Sequence, residues 1–379
     1  MTLFLLNFFI IYGAAHVHFL LRLLAAFPGL QRWWLLPAAW CLLMIAAPLA
    51  ARLLERDGQT GAATAAAYLG YSWMGVLFVF TAVALMLELA RLIRWLGQYL
   101  VALPRLPFAQ PTLFFSLSFG LAILICSYGL FEARHLRTER QTLTTDKLPK
   151  GSRGIRIVQI SDLHIGLIVG PSQVRRVVEA IRQAQPDLVV ATGDMVDGHI
   201  SHLDGVSAMF RSLAPAQGMF AVLGNHEYYA GAAMSRRFLE QAGFRLLQGQ
   251  TALVGPQLAL AGVDDPAGAR RAAHAAQDEE AVLRAIPAGR YVVLLKHRPE
   301  TGPSSAGLFD LQLSGHVHKG QIFPFNLLTW LRFPVRAGMN QLAGGGHLYV
   351  SRGTGTWGPP IRFLAPPEVT IIDLAPLKQ

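Results

Sequence analysis

Ile155-Arg-Ile-Val-Gln-Ile-Ser-Asp-Leu-His-Ile-Gly166 decides how this chain folds. Its first half is an apolar, isoleucine-rich run of strand length, and its second half is an abrupt Ser-Asp-x-His cluster that would be costly to bury unpaired. The pattern repeats downstream. Apolar runs at 187–191, 219–223, 291–295 and 311–313 lead into Thr192-Gly-Asp-Met-Val-Asp197, Gly224-Asn-His-Glu227, Lys296-His-Arg-Pro299 and Ser314-Gly-His-Val-His318, and another apolar run spans 347–350. Residues 171–185 and 232–242 carry helical spacing, the first with Pro171 and Ser172 at its start and Pro186 just past its end. Buried strands alternating with helices predict an α/β fold. Ligands of open α/β sheets gather at the carboxyl ends of strands, so the polar clusters are expected to converge on one site.

Outward from that stretch towards the N-terminus the composition changes. Four apolar runs, at 3–27, 33–51, 66–89 and 112–131, each approach the roughly twenty residues a helix needs to cross a hydrocarbon core, and their charges cluster at the ends. A cleaved signal peptide fits the first run poorly, because no basic region precedes it and three more runs follow. Residues 1–131 therefore read as an all-α transmembrane region of four helices, 132–154 as a basic juxtamembrane linker, and 155–379 as the α/β domain that carries the polar clusters. The net charge of +10 divides into +4 up to Phe131, +3 from Glu132 to Arg153 and +3 over the rest. The excess flanks the membrane runs, so anionic headgroups are its expected partner and nucleic acid is not. Both cysteines, Cys41 and Cys126, lie in the apolar runs, which excludes a thiolate site or disulfide framework in the second domain.

The clusters offer Asp, His and Asn without Cys, a donor set of intermediate hardness suited to Mn, Fe or Zn. The ordered set Asp-x-His, Gly-Asp-x-x-Asp, Gly-Asn-His-Glu, a lone His after a strand, and Gly-His-x-His resembles the calcineurin-like metallophosphoesterase family, within it the membrane-proximal YkuE and YaeI type. The resemblance implies a two-sheet αββα sandwich holding two divalent transition-metal ions. It implies that Asp162, His164 and His318 hold one ion, that Asn225, His297 and His316 hold the other, and that Asp194 bridges them. His226 is then left to face the substrate, and Asp197 is expected to accept a hydrogen bond that orients a ligand histidine. Gly193, Gly224 and Gly315 stand where the backbone must turn tightly beneath the metals. The implied reaction is hydrolysis of a phosphodiester or pyrophosphate by a metal-activated water.

His-Val-His occurs twice, at 16–18 and 316–318. On a helix residues i and i+2 lie about 200° apart, whereas in an extended segment they point the same way, so the second pair is expected at the metals and the first in helix packing. Arg298 reads either as a phosphate contact or as an exposed ion pair. Gln321-Ile-Phe-Pro-Phe-Asn-Leu-Leu-Thr-Trp-Leu-Arg-Phe-Pro334 mixes aromatic, apolar and basic residues, which fits an interfacial segment admitting a lipid-linked substrate as well as it fits a core-packing insertion. A bacterial inner-membrane location is expected. Arg32, Arg91, Arg94 and Arg105 point to an extracytoplasmic catalytic domain, as does the family resemblance; Arg134, Arg137, Arg140, Lys147 and Lys150 argue the reverse. A soluble phosphoester, a pseudoenzyme sensor or scaffold, and a transporter with a regulatory domain are the alternatives. Oligomeric state is not legible.

Overall fold

The computed structural model describes residues 2–101, 110–198, 205–272 and 277–377. It divides into two units, Met1–Phe131 with Gly358–Phe363, and Glu132–Trp357 with Leu364–Gln379.

The first unit is built from the helices Thr2–Ala26, Leu35–Arg56, Thr60–Gly97 and Pro111–Arg134, and four of its described helices are long and apolar enough to cross a membrane. The third runs past both ends of the apolar stretch expected at 66–89, because a helix once nucleated propagates through good helix formers beyond the hydrocarbon. Small residues let these helices approach closely: a Cβ on Gly70 would lie 2.7 Å from Ala47 Cβ. Phe19 meets Trp73, Phe80 and Phe115 with ring centroids 5.1 to 5.6 Å apart. Gly358–Phe363 belongs to this unit, and Arg362 donates its backbone N–H to Gly129 O at 3.0 Å. Arg105, one of the charges invoked for orientation, lies outside the described residues.

In the second unit two six-stranded sheets face each other. The first has the order Arg137–Thr145, Glu368–Pro376, Ile155–Ile160, Leu188–Thr192, Met219–Val222, Phe244–Leu246; the second has the order Gly338–Gln341, His347–Val350, Leu311–Ser314, Tyr291–Lys296, Leu258–Val263, Gln250–Val254. Ile157, Val190 and Val222 from the first sheet pack on Leu260, Val293 and Leu313 from the second, which is the mid-layer core. The other face of the first sheet is covered by the helices Pro171–Ala184 and Ala232–Gln241, through Val174, Val178, Ile181, Phe238 and Leu239. Leu283, on the helix Glu279–Arg284, packs outside the second sheet against Val292 and Leu294. This is the two-sheet sandwich with outer helices.

The strand runs read from sequence are strands with ends shifted by at most one residue. The segment read as a linker is not one throughout. Its Arg137–Thr145 is an edge strand paired in parallel with Glu368–Pro376, and its alternating exposure shows why it was hidden: charged and polar residues face outwards on an edge. Glu368–Pro376 in turn runs antiparallel to Ile155–Ile160, so the centre of the first sheet joins segments more than two hundred residues apart.

Candidate metal centre

The parallel strands Ile155–Ile160, Leu188–Thr192 and Met219–Val222 carry three of the polar clusters at their carboxyl ends, and Tyr291–Lys296 and Leu311–Ser314, parallel to each other, carry the other two. The structure brings the sequence-derived residues together. Donor atoms of Asp162, His164 and His318 lie within 4.8 Å of one another, as do those of Asp194, His297 and His316, and those of His164, Asp194 and His226. Asp194 belongs to two of these three groups. All seven expected ligands except His316 are buried.

The backbone is bent to make this convergence. Asp162, His164, Asp194, His316 and His318 all have φ between 50° and 72°, the left-handed region that costs a non-glycine residue energy and recurs where surrounding structure imposes it. This corrects the expectation of an extended His316-Val-His318, since Val317 between them is helical in φ and ψ, while the two side chains go to different groups as expected. His316 Nδ1 lies 3.1 Å from His297 Nε2, and His318 Nε2 lies 3.1 Å from His164 Nε2. Glycine is required beneath them. A Cβ on Gly224 would stand 2.1 Å from Asp194 Oδ1, and one on Gly315 2.1 Å from Asp162 Oδ2.

Whether these residues suit a metal can be judged from their unused valences. Asn225 Oδ1 is buried without a hydrogen-bond partner, although every such acceptor has a strong need of one. His316 Nδ1 meets His297 Nε2 and His318 Nε2 meets His164 Nε2 at 3.1 Å, pairs of ring nitrogens close enough for one cation to replace the proton between them. His297 Nδ1 donates to Thr192 O at 2.8 Å, which fixes the tautomer that leaves Nε2 as a donor atom 3.1 Å from Asp194 Oδ2. The set fits divalent cations.

A model of the calcineurin-like phosphoesterases matches residues 155–320. An uncharacterized metallophosphoesterase of Aquifex aeolicus is 43% identical over 256 residues, 67% of this chain and 97% of that one. The chain belongs to the calcineurin-like metallophosphoesterase family. Similarity extends to YkuE of Bacillus subtilis, an uncharacterized metallophosphoesterase 31% identical over 64% of this chain and 87% of that one. It extends also to a transmembrane protein with a metallophosphoesterase domain from Danio rerio, 30% identical over 67% of this chain and 61% of that one.

The electrostatics of this metallophosphoesterase site follow from burial and two carboxylates. Burial opposes ionisation of Asp194 and Asp162, yet the surrounding histidines, His297 chief among them for Asp194 and His318 for Asp162, hold both carboxyls well below the usual range. Burial likewise opposes charge on His297, but Asp194 and then Asp162 push it up to about 10. His226 rises to about 9 against its burial, through Asp194 and Asp197. Burial lowers His164 to about 3 and His316 to about 4, each helped by a neighbouring imidazole. The metal-free cluster thus balances two ionised carboxylates against the protonated imidazoles of His297 and His226.

Three residues have roles that sequence reasoning did not assign. Glu227 is fully buried, and its carboxylate accepts the backbone N–H groups of Asp194, Met195, Val196 and Gly224 at 2.6 to 3.0 Å, tying two ligand loops together. Burial, then repulsion from Asp194, raises it to about 7 despite these donors. Its place in Gly-Asn-His-Glu was the available signal. Asp265 holds Arg298 in a two-bond pair at 2.6 and 3.1 Å, so Arg298 is in a part-buried ion pair rather than an exposed one. Trp357 stacks edge-on to His226 at 5.9 Å with no motif to announce it. Asp197 accepts from His226 Nδ1 at 3.0 Å, so it orients the histidine expected to face substrate rather than one of the seven expected ligands.

Proposed function

We propose that this chain is a membrane-bound, dinuclear metal-dependent phosphoesterase that hydrolyses a phosphodiester or pyrophosphate bond of a lipid-linked substrate. The observation that carries the dinuclear reading is the sharing of Asp194 between two donor groups. In this reading Asp162, His164 and His318 hold one ion, Asn225, His297 and His316 hold the other, Asp194 bridges, and the ions are Mn, Fe or Zn. When bound, the metal pair supplies the charge that lowers the pKa of the attacking water and offsets the charge of the phosphoryl oxygens.

The protein's own residues position and protonate. Because Asp197 engages His226 Nδ1, the Nε2 of His226 is free to face the substrate, where it donates a hydrogen bond to a phosphoryl oxygen or a proton to the leaving oxygen. Glu227 keeps the Asp194 and Asn225 loops in register. Exposed Tyr229 and Trp357 flank His226, and Phe333 lies 5.3 Å from His316, so the mouth of the site is aromatic. The lipid-linked substrate is supported by that mouth and by the exposed apolar helix that precedes Phe333. We place the chain in a bacterial inner membrane with its catalytic unit on the extracytoplasmic side, a placement that reporter fusions at the C-terminus test.

The deciding experiment is hydrolysis of an aryl phosphodiester by the purified, metal-loaded chain. Activity that falls by about 10² to 10⁴-fold in His226→Ala agrees with the assignment. A folded, metal-loaded wild type that cleaves no phosphoester overturns it. Comparing this substrate with a detergent-dispersed lipid extract separates lipid-linked from soluble substrates.

A further inference from the structure

The helix Phe325–Arg332 is built inside out. An eight-residue helix of a soluble domain ordinarily turns apolar residues inwards, yet none of its residues is buried, and Leu327, Leu328, Trp330 and Leu331 are 54%, 59%, 54% and 77% exposed. Its less exposed positions are the polar ones, Asn326 and Thr329. Asn326 packs on the turn before the helix, where a Cβ on Gly320 would lie 2.4 Å from its Cα, and its backbone carbonyl accepts from Arg336 Nη1 at 3.1 Å. That backbone packing holds the helix down, and no core packing explains the exposed Leu327, Leu328, Trp330 and Leu331. Within the segment 321–334 core packing holds for Ile322, which is buried, and Phe333, which packs on Val317, Leu348 and Val350, but not for the helix between them, and an apolar patch beside an active site calls for an occupant.

We propose that this helix is a membrane foot: it lies in the headgroup region of the same bilayer that the four apolar helices cross, with its leucines and Trp330 in the acyl boundary. Three observations favour a lipid surface over other occupants. The catalytic unit is covalently continuous with a membrane-length helix at Glu132, and its chain returns to the helical unit for Gly358–Phe363, directly after Trp357. The exposed set of leucine, tryptophan and phenylalanine is the composition of interfacial helices. Arg336, which donates to Asn326 O, and Arg332, which is paired with Glu300, stand at the helix, and Lys319 precedes it in the chain, charges that anionic headgroups attract. The consequence is positional. Phe333 follows the helix at once and touches His316, so a phosphate carried by a lipid would reach the metal centre without leaving the bilayer surface. This activity arm rests on the phosphoesterase reading; the insertion arm does not.

The test uses the full chain in nanodiscs of phosphatidylethanolamine and phosphatidylglycerol. A nitroxide is attached at Leu331→Cys, with Cys41→Ala and Cys126→Ala, and its accessibility to oxygen and to a nickel chelate is compared with that of Leu253→Cys, an exposed residue of the strand Gln250–Val254. A depth of about 5 to 10 Å at 331 and an aqueous environment at 253 are expected. Equal aqueous exposure at both overturns the proposal, as does spin–spin broadening at 331 that vanishes on dilution with unlabelled chain, which would make a second copy the occupant. In the chain with native Cys41 and Cys126, Leu327→Gln with Leu331→Gln should lower turnover of a vesicle-borne lipid phosphodiester about tenfold or more while a soluble aryl phosphodiester is cleaved as before. Equal loss on both substrates, or loss on neither, counts against the foot. If the unsubstituted chain cleaves neither substrate the phosphoesterase reading falls, and the depth measurement still decides the helix.

Discussion

The same tripeptide, His-Val-His, sits in both units and does opposite things. On the first helix, His16 and His18 diverge and each is satisfied where it stands: His16 accepts from Trp73 Nε1 at 2.9 Å and lies 2.8 Å from Tyr12 O, while His18 lies 3.2 Å from Glu88, which also pairs with Arg22. In the loop after Leu311–Ser314, His316 and His318 have left-handed backbone angles and their ring nitrogens face other imidazoles. A regular backbone lets polar side chains find ordinary partners, so they serve packing. A bent one, imposed by the sandwich, holds like donors against each other, and that convergence is what a cation can use. The helical pair also gathers more charge than the spans advertise, since Arg22 and Glu88 come from two different helices.

The comparison breaks most sharply on Asp194. Asp194→Asn should remove activity by about 10³-fold or more, on the scale of losing a transition-state electrostatic contact, and should lower bound metal measured by elemental analysis. His16→Ala in the same assay should leave both unchanged; a loss equal to that of Asp194→Asn would erase the distinction between the two units. Next in size is Glu227→Gln, which exchanges an acceptor of four backbone N–H groups for a weaker one. Metal affinity should weaken by about 10 to 100-fold and unfolding stability by about 1 to 3 kcal/mol. Titrating the metal-free chain with Mn and following unfolding by denaturant checks both.

A smaller effect concerns protons. His297 is pushed up to about 10 and so carries a proton at neutral pH, whereas the proposed centre has it present an unprotonated Nε2 to a metal. Metal binding near pH 7 should therefore release protons and tighten as pH rises. Calorimetry in two buffers of different ionisation enthalpy reads this directly, and a buffer-independent heat would contradict it. The smallest change is expected in the helical unit. Glu88→Gln should cost about 0.6 kcal/mol and no more than about 1.7 in detergent unfolding, the range of polar contacts between membrane helices, with catalysis untouched.

Much of the catalytic unit was legible because each ligand cluster follows an apolar run of strand length, and burial on both faces makes such runs conspicuous. The run Leu258–Val263 is equally apolar and fully buried, and Asp264 and Asp265 follow it, but that pair carries no histidine or asparagine to match the five ligand motifs, so the run went unread. Arg137–Thr145 was illegible for the reason that edge strands generally are: every second side chain from Thr138 to Thr144 is exposed, those between are mostly polar, and only its partner Glu368–Pro376 makes it a strand. Glu227 was visible as part of a motif, but its four-fold backbone clamp required knowing that the Asp194 loop comes to it. Trp357 reaches His226 across more than one hundred residues.

Local chemistry was therefore carried by residue order: which segments are apolar enough to cross a membrane, which runs are strands, and which Asp, His and Asn residues stand at their ends. Those properties depend on neighbours a few positions away, and neighbours along the chain are known in advance. The pairing of strands, the left-handed angles at five of the donors and the outward turn of Leu327, Leu328 and Leu331 came only with the packed structure. They are set by contacts between distant segments, where one backbone forces another into a shape that no short stretch would adopt alone.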